Sequence, residues 1–229
     1  LSFGEIRVSW KQPAIFLRDQ KRSVIMGKSQ SRLSVVIPLY NHERYIAESM
    51  DSVLAQTAPP AEIIVVDDGS SDASFDVLQK KYAGAPSLIC WTRPNMGAHH
   101  AINAGIYRAT GDYIAILNSD DIYEPERLER CCRILDRDSS VDMVCTGISF
   151  IDDKGMSVKN AWFDNVMAFM KKSGDMELAL INGNFFMTTS NFVVRKSAFE
   201  RFGYFSNFRY AHDLAFLLRL LRQNGKIFM

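Results

Sequence analysis

The chain has 229 residues, 47% hydrophobic and 23% charged, with 27 basic against 26 acidic side chains and a formal net charge of +1. A disordered chain would be poorer in apolar residues and a nucleic-acid module more basic, so both classes are excluded. The length suffices for one sizeable core, or for a core with a small annex.

The charge is unevenly spread. Residues 1–32 hold seven basic residues (Arg7, Lys11, Arg18, Lys21, Arg22, Lys28, Arg32) and two acidic ones (Glu5, Asp19), a net +5, while the remaining 197 residues carry 20 basic and 24 acidic, a net −4. This leader reads as a linker from a preceding domain or as an arm for peripheral association with an anionic membrane surface. No apolar run is long enough for a transmembrane span, and no signal-peptide core is present. Four cysteines (Cys90, Cys131, Cys132, Cys145) without CxxC spacing argue against a disulfide framework and against structural zinc. A reduced cytoplasmic compartment, or the inner face of the membrane, is expected. A start at Leu1 and a stop at Met229 inside an apparent strand, Lys226–Met229, read as a fragment of something longer.

From Leu33 short apolar runs alternate with helical patterns. Ser34–Ile37 is a buried strand, followed by a helix with Ile46, Met50, Val53 and Leu54 on one face. Ile63–Val66 is a strand, Phe75–Tyr82 a helix, Leu88–Trp91 a strand, Ala98–Arg108 a helix and Tyr113–Leu117 a strand. Pro125 opens a helix to about Asp136, with Leu128, Cys132 and Leu135 at core-facing spacing. Such alternation predicts an α/β fold with a mainly parallel sheet. After about Val141 the rhythm changes: Met143–Ile151 and Met156–Val158 flank a polar turn and read as a hairpin. Then come a helix over Asp175–Ile181, a strand over Asn191–Arg195 and a helix over Lys196–Phe202. The last helix, Asp213–Arg222, carries Leu214, Leu217, Leu218 and Leu221 on its buried side. We divide the chain into a basic arm or linker (1–32), a nucleotide-binding half (33–147) and a smaller half (148–229).

Ligands of open parallel sheets bind outside the carboxyl ends of the strands. Four polar strand ends converge there: Pro38-Leu39-Tyr40-Asn41-His42-Glu43, Asp67-Asp68-Gly69-Ser70-Ser71-Asp72, Arg93-Pro94-Asn95-Met96-Gly97 and Asn118-Ser119-Asp120-Asp121. Adjacent carboxylates repel unless a cation or hydrogen-bond donors neutralise them. The bland reading makes Asp68 or Ser70 a cap of the helix near Ser74, and Asp121 a cap of the helix at Pro125. The functional reading, stronger because both pairs share one rim, is a Mg2+ or Mn2+ site with a diphosphate on Asp120 and a base read by Asp67 or Asp68. No P-loop and no GxGxxG follows the first strand, which argues against an ATPase and a nicotinamide enzyme.

As a set, Ser34–Asn41, Val66–Asp72, Asn95–Gly97 through Asn103–Ile106, Gly111–Ile114, Leu117–Asp121, Ser190–Lys196, Phe202–Phe205 and His212–Leu214 to Arg219 resemble glycosyltransferase family 2. These are inverting nucleotide-sugar enzymes of the GT-A fold. The resemblance spans residues 33–229 and implies a Rossmann-like sheet with an acceptor-side subdomain over 148–229. It implies nucleoside contacts at Pro38, Tyr40 and Glu43, base contacts at Asp67 and Asp68, and ribose or diphosphate contacts at Asn95 and Gly97. Asn118-Ser119-Asp120 falls on the DxD position, with Asp120 as ligand of Mn2+ or Mg2+, and Asp213 falls on the catalytic base. The donor it implies is a nucleoside-diphosphate sugar, UDP-linked by preference. The acceptor is a glycan, lipid-linked or protein hydroxyl, in cell-surface polysaccharide or glycoconjugate synthesis. Asn118 stands where the family has aspartate, and His212, on the acceptor side, where it commonly has glutamate.

In the first turn of a helix, Asp213 is favoured as the anion a base needs. A sugar nucleotidyltransferase would need glycines between Pro38 and Glu43, where there are none. A catalytically idle nucleotide- or glycan-binding module of the same fold is the alternative that Asn118 and His212 keep open. His99 and His100 point about 100° apart on a helix and read as surface or partly satisfied histidines rather than zinc ligands. Trp162, Phe163, Phe169, Phe185 and Phe186 read as core, with a stacking platform for an acceptor sugar as the second option.

Overall fold

The computed structural model describes residues 7–10, 32–85, 87–152 and 154–229. In chain order the first elements are β1 (Arg7–Trp10), β2 (Leu33–Leu39), α1 (Ile46–Leu54), β3 (Glu62–Asp67), α2 (Ser74–Tyr82), β4 (Leu88–Thr92), α3 (Ala98–Arg108), β5 (Tyr113–Ile116), β6 (Ile122–Tyr123) and α4 (Arg127–Arg137). Then follow β7 (Met143–Val144), β8 (Ser149–Ile151), β9 (Ser157–Val158), α5 (Ala161–Ser173), α6 (Met176–Asn182), β10 (Val193–Arg195), α7 (Lys196–Phe202), α8 (His212–Arg222) and β11 (Ile227–Phe228).

Seven strands form the main sheet in the order β11-β7-β10-β5-β2-β3-β4. Strands β4, β3, β2 and β5 run parallel, and β10 is antiparallel to both its neighbours. Side chains alternate between two cores. Val36, Ile64, Val66, Ile114, Ile116 and Val194 meet α3, α6, α7 and α8 on one face. Val35, Ile37, Ile63, Val65, Ala115 and Val193 meet α1, α2 and α4 on the other. Because both faces are covered, the strands are continuous apolar runs without polar alternation. The sheet takes strands from both sides of residue 147, since β10 lies between β7 and β5.

Helical stripes differ from the expected ones by a position or two. Leu54 of α1 is exposed. In α4 the core face is Leu128, Cys131 and Leu135, with Cys132 only partly buried. In α8 it is Phe216, Leu217 and Leu220, and Leu214, Leu218 and Leu221 flank it. In each case the observed set follows the i, i+3, i+4, i+7 face of a regular helix.

The expected hairpin is divided. Strands β8 and β9 pair antiparallel, but β7 belongs to the main sheet. Three elements were not expected from sequence: β6, α5 and β1. Strand β1 pairs parallel with β6 and antiparallel with β8, completing a second sheet, β6-β1-β8-β9. Part of the basic leader is therefore a strand. Residues 1–6 and 11–31, on which the linker and membrane-arm readings fall, lie outside the described residues. Among the described residues no helix is long and apolar enough to cross a membrane.

Candidate active-site cleft

Parallel strands deliver their carboxyl ends to one edge, and the loops after β2, β3, β4 and β5 meet there in a cleft of about 770 Å³, a size typical of small-molecule sites. The second half closes it with Met187–Thr189 and with Asn207, Arg209 and Tyr210. Ten of the twelve expected site residues line it: Pro38, Tyr40, Asp68, Asn95, Gly97, Asn118, Ser119, Asp120, His212 and Asp213. Asp67 and Glu43 do not.

The carboxylates that stand back from the cleft brace its loops. Asp67 is 1% exposed and accepts from the Ser70 hydroxyl at 2.5 Å and the Thr92 hydroxyl at 2.7 Å. Glu43 accepts from the Ala73 N–H at 2.9 Å. Asp68 borders the cleft, yet it accepts from the N–H groups of Gly97 (2.7 Å) and Met96 (3.1 Å), with Arg93 Nε 3.4 Å away. The loops after β3 and β4 lock together around Gly69. With φ at 77° and Arg93 O and Asn95 N only 3.0 and 3.1 Å from where a Cβ would stand, only glycine fits that turn. The capping readings do not hold. Asp68 faces the 96–97 amides rather than α2, and Asp121 accepts from Ser190 at 2.5 Å rather than from α4.

At the carboxyl end of β5 the side-chain amide of Asn118 is spent on the second half. Its Nδ2 donates to Thr188 Oγ1 at 2.7 Å and its Oδ1 accepts from Thr189 Oγ1 at 3.0 Å. Ser119 is buried against His42 Nδ1 at 2.8 Å. Asp120 is different: its side chain is 41% exposed, with His42 Nδ1 3.9 Å from Oδ1. Of Asp67, Asp68, Asp120 and Asp121, it is the exposed one.

Across the cleft, Asp213 sits in the first turn of α8, 9% exposed, and its Oδ2 accepts from Asn184 Nδ2 at 2.7 Å. His212 precedes it, its Nδ1 3.3 Å from Phe208 O. His99 is the partly satisfied histidine of the two expected alternatives rather than a surface one, its Nδ1 buried without a hydrogen-bond partner among the described residues. It is 3% exposed in the cleft wall, with Nε2 2.8 Å from Asn207 Oδ1 and ring centroids 4.4 Å from His100 and 5.8 Å from His212. Burial, aided by the neighbouring imidazoles, holds its pKa below the ordinary value.

His42, Asn184, Thr188, Thr189 and Asn207 were not singled out from sequence, and they act by tertiary pairing that no local pattern reveals. Of the five aromatics considered for an acceptor platform, none lines the cleft. Phe185 and Phe186 are core, while Trp162 is exposed elsewhere. The aromatic rings at the cleft are instead those of Tyr40 and Tyr210, the latter 88% exposed.

Residues 34–203 match the family model described as glycosyl transferase family 2. The chain is 33% identical over 177 residues to an uncharacterized glycosyltransferase of Nostoc sp., covering 74% of this chain and 52% of that protein. It is 32% identical over 152 residues to a chondroitin synthase of Escherichia coli, covering 66% and 22% respectively. It thus spans about half, or less, of the length of these relatives. Among solved structures, an S. aureus TarS fragment in complex with UDP-GlcNAc superposes with a TM-score of 0.64 at 23% identity, over 86% of this chain and 55% of that one. The mannosyltransferase PcManGT from Pyrobaculum calidifontis, in complex with GDP-Man and Mn2+, superposes with a TM-score of 0.61 at 19% identity, over 88% and 55%. At such identities the likeness speaks for the fold, which is of the GT-A type.

Proposed function

The chain belongs to glycosyltransferase family 2, and from that premise we propose that its cleft transfers a sugar, with inversion, from a nucleoside diphosphate to an acceptor hydroxyl. The observation that carries this reading is that Asp120 and Asp213, on opposite halves of the chain, line one cleft, while Asp67 and Asp121 are committed to internal hydrogen bonds.

The donor is a UDP-linked sugar, its nucleoside against Pro38 and Tyr40 and its ribose and diphosphate near Asn95 and Gly97. Asp68 supports that site by fixing the Met96 and Gly97 amides. The donor set fits a hard divalent cation. Asp120 offers an exposed carboxylate oxygen, and Mg2+ or Mn2+ readily completes its shell with water and substrate phosphate. When bound, that ion supplies charge neutralisation to the departing diphosphate. Asn118, neutral and hydrogen-bonded to Thr188 and Thr189, adds no charge to that site.

Asp213 accepts the proton of the acceptor hydroxyl as its oxygen bonds to the anomeric carbon from the face opposite the diphosphate. The bond from that carbon to the diphosphate oxygen breaks, and the electron pair leaves with the nucleoside diphosphate. Arg209, Tyr210 and His212 border the acceptor side, where a glycan, lipid-linked or protein hydroxyl enters.

Release of nucleoside diphosphate from a panel of UDP- and GDP-sugars, with Mn2+ and with chelator, tests this reading. Asp213→Asn is expected to lower turnover by about two to four orders of magnitude with donor affinity retained. Donor binding without turnover across the panel would replace the enzyme by an idle binding module. Full turnover of Asp213→Asn would remove the base.

A further inference from the structure

Asn184 lies in the loop after α6, and no sequence feature drew attention to it. Its amide has one orientation. The Phe186 N–H donates to Oδ1 at 3.2 Å, which fixes that end as the acceptor and leaves Nδ2 to donate to Asp213 Oδ2 at 2.7 Å. Both partners are anchored in the same core. Phe186 is 1% exposed and packs on Phe185 and Phe192, and α8 sends Phe216, Leu217 and Leu220 into that cluster. The carboxylate is thus held by one oxygen from a neighbour anchored in the core, and the pair bridges the loop after α6 to the first turn of α8.

We propose that Asn184 is the positioning residue for the catalytic carboxylate. By holding Oδ2 it turns Oδ1 toward the incoming hydroxyl, so proton acceptance begins from a set geometry instead of a side-chain search. The inference rests on Asp213 being the base. Asn184 itself does not touch substrate.

The experiment uses the full chain and separates turnover from binding. Asn184→Ala is expected to lower kcat about 10- to 100-fold, with donor KM and calorimetric donor affinity within about twofold of the parent. Asn184→Asp keeps the shape and the Phe186 contact but sets a carboxylate against Asp213. It is expected to lose at least as much, with the acidic limb of its kcat profile moved to higher pH as the new carboxylate disfavours the ionised form of Asp213. Added to Asp213→Asn, Asn184→Ala is expected to change the residual rate less than about twofold.

An Asn184→Asp enzyme with parental kcat and pH profile would overturn the proposal while leaving Asp213 as the base. So would an Asn184→Ala penalty undiminished in the Asp213→Asn background. Full activity of Asp213→Asn would overturn the base reading itself.

Discussion

Two adjacent aspartates show how far the fate of a residue depends on its contacts. Asp120 is open to the cleft, whereas Asp121 is 5% exposed and held by Ser190, with Thr188 at 3.5 Å. Asp121→Ala is expected to cost about 1–3 kcal/mol of stability by stranding a buried hydroxyl, read as a lower denaturant midpoint. Asp120→Ala should leave that midpoint in place and instead lower turnover by about two orders of magnitude at limiting Mn2+, the loss shrinking as Mn2+ is raised. The sequence singled out Asp120 as the metal ligand and left Asp121 between site and cap, because its partner Ser190 is 69 positions away. His99 makes a second prediction. Its folded pKa lies below the value of about 6.5 for a free imidazole, through burial first and then the nearby His100 and His212, against the opposing pull of Asn207 and Asp68. The unfolded chain therefore binds the proton first as pH falls. The stability that neutral His99 confers is complete above about pH 6.5 and drains away toward the depressed folded value. Thermal midpoints measured from about pH 8 to pH 5 should fall more steeply for the parent than for His99→Gln. Equal slopes would count against this assignment.

At the level of elements, the sheet and the cleft edge were readable because buried parallel strands write themselves as apolar runs ending in polar turns. Helix α3 shows how a helix keeps the rim in place. Gly105 lies where a Cβ would come within 2.3 Å of Val36 Cγ1, so the helix rests directly on β2 and sets the Gly97 turn at its N-terminus. Gly105→Ala should destabilise by about 1–3 kcal/mol, and Val36→Ala should recover part of the loss in a double-mutant cycle. Additive penalties would show that the contact does not limit packing. The helix that escaped the sequence, α5, buries only Val166 fully, so its apolar positions form no clean stripe. Its ends are capped in the ordinary way: Asn160 accepts from the Phe163 N–H, and Gly174 takes a left-handed φ of 65°. The division of Met143–Ile151 into β7 and β8 was not legible. Thr146 turns away to Asn191 Oδ1 and Cys145 donates to Phe228 O, both distant in sequence.

Across the whole molecule, the second sheet joins the chain's beginning to its middle. Strand β1 lies between β6 and β8, so a chain starting at Leu33 leaves one edge of each without a hydrogen-bonding partner. Such a truncation should melt at a lower temperature than the full chain. An unchanged midpoint would mean that this pairing adds nothing. Strand β6 begins one residue after Asp121 and two after Asp120, which makes the cleft loop of Asn118–Asp120 and the pairing of Arg7–Trp10 neighbours along a single short stretch. Occupancy and strand docking then obey reciprocity: whatever free energy a bound donor lends to the docked strand, the docked strand lends to donor affinity. Proteolytic protection of Arg7–Trp10 by donor would measure that coupling, and equal cleavage with and without donor would set it at zero.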